Sequence, residues 1–201
     1  MITIVDYGMG NVGSIRNMLK RIGVAATVTA DAQVIADSTK IVLPGVGAFD
    51  SAMTRINSSS LGEVLGRKAL VERVPILGIC LGMQLLTRGS EEGELPGLGW
   101  IAATSRRFPR ESGLKVPHMG WNLVRPSTAS RLTEGFEEET RFYFVHSYYV
   151  AVDDPRNSIL KTTYGVEFDS AIQNGNIYGA QFHPEKSHRF GMRLLKNFAD
   201  L

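Results

Sequence analysis

Short strand-like runs separated by stretches of helical period place the tightest limit on how this chain can fold. Residues 2–6, 25–30, 40–43 and 75–79 read as strands, the last apolar enough to be buried. Between the first two, Val12, Ile15, Met18, Leu19 and Ile22 recur at helical spacing and Gly23 stops the run. Helical patterns over 49–56 and 61–73 precede the strand at 75–79, and 81–87 begins another. Strands joined through helices run parallel by right-handed crossovers, so this half predicts a mostly parallel sheet.

The second half changes character. Residues 100–108, 122–125, 142–150 and 159–163 are rich in aromatic or β-branched side chains and read as strands. Residues 171–173 and 177–182 flank Asn174-Gly175-Asn176, a hairpin signal. Residues 190–198 read as a closing amphipathic helix. No Pro/Gly/Ser linker separates the halves. The expected fold is therefore α/β: one domain over 1–201, a mostly parallel open sheet with flanking helices plus an added antiparallel strand region.

Composition removes several classes of function. Lys and Arg number 22 against 20 Asp and Glu, a net charge of +2, which gives no reason to expect nucleic acid or an anionic membrane as partner. Cys80 is the only cysteine, so an internal disulfide is impossible, and a reducing cytoplasm is expected. Residues 1–10 lack a basic leader and the apolar stretch 74–86 is too short to span a bilayer.

Gly8-x-Gly10-x-x-Gly13 follows the first strand, with Asp31 18 residues beyond Gly13, which has the look of a dinucleotide fingerprint. A tight glycine turn between strand and helix explains the same residues. The turn is preferred, because the chain is short for a cofactor domain plus a substrate domain and another motif accounts better for the second half.

That motif is Gly78-x-Cys80-x-Gly82, at the end of a buried strand. It is the cysteine form of a nucleophile elbow, in which the strand turns sharply into a helix. Side chains at Gly78 and Gly82 would strike neighbouring backbone. The helix N-terminus favours negative charge at Cys80, and the Leu81 N–H would face an oxyanion formed beside the sulfur. A thiolate needs a proton shuttle. Among His118, His146, His183 and His188, His183 stands out in Phe182-His-Pro-Glu185. Residues two apart in extended chain face the same way, so Glu185 can bond one ring nitrogen and leave the other for the sulfur. Without the cysteine elbow, a surface His-Pro turn with no partner would be the better reading of this segment. Cys80 and His183 are 103 residues apart in sequence. Pro44-Gly45-Val46-Gly47 ends the third strand, where open α/β sheets bind ligands, and could supply a second oxyanion N–H or be an ordinary turn.

Taken together, Leu43-Pro-Gly-Val-Gly47, Gly78-Ile-Cys-Leu-Gly-Met-Gln84 and Phe182-His-Pro-Glu185 resemble the class I, triad-type glutamine amidotransferases. Pro117-His-Met-Gly-Trp-Asn122, Tyr143-Phe-Val-His-Ser-Tyr148 and His183-Pro-Glu-Lys-Ser187 are similar to the glutaminase subunits of imidazole glycerol phosphate synthases within that family. The resemblance implies Cys80 as nucleophile, His183 as general base and acid, and Glu185 as its orienting carboxylate. It implies an oxyanion site at Val46, Gly47 and Leu81, and glutamine binding by Gln84, Glu92, His146, Ser147 and Tyr148. His118, Met119, Trp121, Asn122 and Lys186 match a segment facing a partner. For His118, a turn histidine packed beside Trp121 is an equal reading, and His188 has only a structural one.

The implied reaction is hydrolysis of glutamine to glutamate and ammonia, with no metal or organic cofactor. The implied partner is a separate (β/α)₈-barrel cyclase forming a heterodimer, which uses the ammonia to make imidazole glycerol phosphate and an aminoimidazole carboxamide ribotide. Two alternatives stand beside it: a paralogous glutaminase feeding a sugar amidotransferase, and a non-catalytic stabilising or sensor module that keeps the elbow cysteine.

Overall fold

The computed structural model describes residues 1–109 and 113–201. The first half alternates as read: β1 (Ile2–Val5), α1 (Val12–Arg21), β2 (Ala26–Thr29), α2 (Ala32–Ala36), β3 (Ile41–Gly45), α3 (Phe49–Asn57), α4 (Leu61–Gly66), β4 (Ile76–Cys80) and α5 (Leu81–Leu85). α4 runs on into a π-helical turn, Arg67–Val71. Then follow β5 (Ala103–Arg107), β6 (His118–Leu123), β7 (Arg125–Pro126), β8 (Arg141–His146), β9 (Tyr148–Val152), β10 (Ser158–Tyr164), β11 (Val166–Asn174), β12 (Ile177–Ala180) and α6 (His188–Ala199).

The main sheet runs β2-β1-β3-β4-β12-β11-β10-β7, with β9 beside β11 and β5 beside β9. From β2 to β12 every neighbour is parallel. Beyond β12 every pairing is antiparallel. β6 and β8 form a separate antiparallel pair. β1, β3 and β4 are buried along their whole length, so successive side chains serve two cores. Ile4, Val42 and Leu77 pack with Ile15 and Leu19 of α1 and Leu194 and Phe198 of α6. Ile41, Leu43 and Ile76 pack with Phe49 and Ile56 of α3, Leu65 of α4 and Met83 of α5. Among the described residues, no helix is long and apolar enough to cross a membrane.

Three local readings change. α2 was not anticipated; Asp31 caps it, its carboxylate accepting the Gln33 N–H at 2.8 Å. That role, and a Gly13 with nothing within 4 Å of an added Cβ, leave the Gly8–Gly13 segment as a turn rather than a close-packed dinucleotide loop. The strand expected over 142–150 breaks at Ser147 into β8 and β9, which join different sheets. The strand expected over 122–125 begins instead at His118. Pairing with β8, from His118↔His146 to Leu123↔Arg141, holds a segment whose own residues show little strand preference. The hairpin stands as read: Asn174 pairs with Ile177, and Gly175 takes φ +58°.

β3, β4 and α5 approach closely at backbone level. A Cβ on Gly82 would lie 1.9 Å from the Leu43 carbonyl oxygen, and one on Gly78 would lie 2.5 Å from that of Gly82. Backbone cannot swing aside as a side chain can. Gly82→Ala should therefore cost about 3 kcal/mol or more in urea unfolding. Gly13→Ala, in open space within α1, should gain up to about 1 kcal/mol.

Candidate active site

Cys80 closes β4 and opens α5 with φ 55° and ψ −112°. A residue with a Cβ holds such a left-handed backbone only where its surroundings impose it. Here the glycine contacts around Leu43 impose it. Sheet register then decides what stands beside the sulfur. β3 pairs Gly45 with Cys80 on one side. β12 pairs Ala180 with Ile79 on the other, so the chain leaving β12 carries Gln181 and His183 alongside Cys80.

His183 and Glu185 meet as expected, Nδ1 to Oε1 at 2.9 Å, with both side chains almost fully buried. The link is not extended as the sequence suggested: Pro184–Lys186 is a 3-10 turn. Ser187 locks it, donating to the His183 carbonyl at 2.6 Å and accepting the Tyr143 N–H at 3.0 Å. With Nδ1 occupied, Nε2 is left for the Cys80 sulfur, with which the ring interacts. Burial alone would push the imidazole pKa down. Hydrogen bonds and charge from Cys80 and Glu185 outweigh it, and the pKa is pushed up to about 10. The sulfur also lies 3.8 Å from the Val145 carbonyl oxygen and 3.9 Å from Gln181 Nε2.

A cavity of about 330 Å³ opens over the sulfur. It is lined by Val46, Gly47, Cys80, Leu81, Gln84, Glu92, Pro117, Val145, His146, Ser147, Tyr148, His183 and Lys186. Every residue assigned from the sequence to the oxyanion site or to glutamine is thus present. Gln84 is anchored, its amide donating to the Tyr148 carbonyl and to Gln181 Oε1, both at 3.1 Å. Glu92 at the rim accepts the Phe49 N–H at 3.1 Å. Partial desolvation raises its carboxyl pKa; the bond from Phe49 opposes this and Asp50 adds to it. Among the described residues, no group of three or more His, Cys, Asp or Glu side chains could hold a metal ion.

The glutamine amidotransferase class-I family model matches residues 3–201. The chain belongs to the class-I glutamine amidotransferases. It is 54% identical over 198 residues to the imidazole glycerol phosphate synthase subunit HisH 2 of Methanococcus maripaludis, covering 98% of each chain. It is 50% identical to the imidazole glycerol phosphate synthase subunit HisH of Bdellovibrio bacteriovorus over the full length of both. Among solved structures, PurLQS from Thermotoga maritima shares the fold at a TM-score of 0.75 and 18% identity, over 99% of this chain and 97% of that one.

Of the remaining assigned residues, Lys186 lines this amidotransferase's cavity and the others lie outside it. Met119 and Trp121 project from β6 into solvent, 61% and 44% exposed, and Leu123 continues the same face at 51%. His118 points the other way and is only 3% exposed, so it is neither a surface contact nor packed beside Trp121. Strand alternation separates the two. Asn122 is partly buried and bonded inward. His188 does stack on Trp121, ring centroids 5.7 Å apart and 5° from parallel. Three contributors went unread in the sequence. Gln181 bridges Gln84 and the sulfur, and Ser187 holds the His183 turn. Tyr7 donates to the Pro44 carbonyl at 2.7 Å, just before the Gly45–Gly47 loop. Burial and then the charge of Cys80 raise the Tyr7 phenol well above its usual range, Arg55 opposing, so it stays a donor. Gln181 lies beside Phe182-His-Pro-Glu185 and Ser187 ends His183-Pro-Glu-Lys-Ser187, yet neither was given a role from the sequence; Tyr7 left no local signal.

The raised pKa sets a pH test. Folded His183 keeps its proton up to about pH 10, whereas the unfolded ring loses it near 6.5. Its contribution to stability is complete below the unfolded value and disappears as pH climbs through the folded one. Thermal melts of wild type and His183→Gln should differ most near pH 6 and converge toward pH 10.

Proposed function

We propose that this chain is the glutaminase subunit of an imidazole glycerol phosphate synthase, one amidotransferase domain over 1–201 working in the reducing cytoplasm. The observation that carries this reading is the meeting of Cys80 with the His183–Glu185 pair at a cavity lined by the oxyanion loop. The names of full-length relatives at 54% and 50% identity support the choice of synthase.

The chemistry follows from a resting imidazolium beside the sulfur. A proton held on His183 favours Cys80 as thiolate, which attacks the glutamine side-chain carboxamide carbon. Backbone N–H groups at Val46, Gly47 and Leu81 receive the tetrahedral oxyanion, each such donor contributing about 3 kcal/mol. As the C–N bond breaks, His183 passes its proton to the departing nitrogen and ammonia leaves a γ-glutamyl thioester. Neutral His183 then takes a proton from water as the oxygen attacks. Collapse expels the thiolate and frees glutamate, so the ion pair is restored each cycle. Glu185 keeps Nδ1 protonated throughout and Nε2 free for transfer.

Ammonia released into water would protonate and lose its nucleophilicity, so it passes directly to the cyclase subunit, a (β/α)₈ barrel docked over the cavity mouth. The apolar stripe Met119, Trp121 and Leu123 lies on the strand that follows Pro117, itself in the cavity wall. That stripe is the docking face, with Lys186 at the mouth.

Labelling by a glutamine-analogue electrophile should modify wild type and leave Cys80→Ala unmodified and inactive with the cyclase present; a Cys80→Ala protein that still released glutamate would refute the assignment. Trp121→Ala should weaken cyclase binding by about 2 kcal/mol, roughly thirtyfold, in calorimetric titration.

A further inference from the structure

The docking strand and the glutamine cavity are joined by a line of side chains whose protons have only one consistent arrangement. On β8, His146 Nδ1 lies 2.7 Å from the Tyr148 carbonyl oxygen. That oxygen can only accept, so Nδ1 carries the hydrogen. In the neutral ring Nε2 is then a bare acceptor. Directly opposite on β6, His118 Nδ1 lies 2.9 Å from that Nε2 and must donate to it. His118 Nε2 is in turn an acceptor, and Asn122 Nδ2 lies 3.2 Å away. The Asn122 amide cannot be reversed: its Oδ1 accepts the Leu123 N–H at 2.8 Å and its Nδ2 also donates to the Thr163 carbonyl at 3.0 Å.

Both rings stay uncharged. Burial lowers His118 to about 4 and His146 to about 3; Tyr148 opposes the shift of His146, while His118 and His183 add to it. His118 cannot rotate out of line, because it is stacked between Phe144 (4.8 Å, 23°) and Tyr164 (4.0 Å, 20°). The line ends on the Tyr148 carbonyl, which also receives Gln84. That peptide borders the bend at Ser147, where the cavity wall turns from β8 to β9.

We infer that His118 is a positioning residue: the neutral relay Asn122–His118–His146 ties the docking strand β6 to the Ser147–Tyr148 wall of the glutamine cavity. His118 touches no substrate and acts by fixing the tautomer and orientation of His146. Cyclase docking on Met119, Trp121 and Leu123 acts on β6, whose inward face carries His118. The inference rests on reading the cavity as the glutamine site.

The first test needs no variant. Nitrogen-15 spectra of the histidines in the full-length wild-type protein should show both rings neutral and protonated at Nδ1 across pH 5–8. His146 protonated at Nε2 instead would overturn the relay, whatever the activity. The second test compares His118→Phe, which fills the stack but cannot donate, with His118→Asn, whose amide nitrogen can take the place of Nδ1. In complex with the cyclase, His118→Phe should raise KM for glutamine about tenfold with a smaller change in kcat, and His118→Asn should recover most of it. An unchanged KM in His118→Phe overturns the inference. So does equal damage in both variants with the His146 tautomer retained, which marks packing alone. Absence of glutamine hydrolysis in the wild-type complex would remove the catalytic reading but leave the tautomer result standing.

Discussion

The absence of any side chain at Gly82 lets α5 lie against the carbonyl of Leu43, and the site depends on that contact. It brings the helix N-terminus to the end of β4 and holds Cys80 in a left-handed backbone that would otherwise relax. It also sets the sulfur level with Gly45 on β3 and with the exit of β12. Cys80, the Gly45–Gly47 loop and His183 therefore occupy one rim because adjacent parallel strands end together. This is the usual place for ligands of an open α/β sheet.

Within that frame, histidines of equal intrinsic basicity are driven in opposite directions. His183 is buried beside Glu185 and Cys80, and their negative charge outweighs desolvation, so it holds a proton. His118 and His146 are buried among Phe108, Phe144 and Phe168 with only dipoles for partners, so desolvation wins and they remain neutral. A protonated ring and two neutral rings thereby share one small volume. The charge on His183 helps keep His146 uncharged, so the two protonation states reinforce one another.

How much of this was legible varied with the range of the physics involved. The elbow was readable because its glycines answer a steric demand within five residues. The His183–Glu185 pair was readable because its partners are two residues apart, although the chain reaches the contact through a 3-10 turn rather than an extended link. Residues 142–150 were read as one strand because local strand preference is continuous there. The break at Ser147 arises from β8 and β9 having partners in different sheets. His118 read equally as a partner contact or as a turn residue beside Trp121, since nothing local reveals that β8 pairs its segment into a strand and sends alternate side chains to opposite faces. Tyr7 carried no signal and the role of Ser187 none, because the Pro44 carbonyl and the Tyr143 N–H they bond are brought near only by the fold.

From its own letters the chain determined the alternation of strands and helices, the sharp strand-to-helix turn at Cys80 and the pairing of His183 with Glu185. These depend on period, sterics and chemistry that neighbouring residues already contain. Only the tertiary structure decided that the sulfur and the imidazole meet, that Tyr7 holds the Pro44 carbonyl before the Gly45–Gly47 loop, and which nitrogen of each buried histidine bears a hydrogen. Those outcomes turn on strand order, register and the loss of water around particular atoms, and they exist only after distant segments have packed.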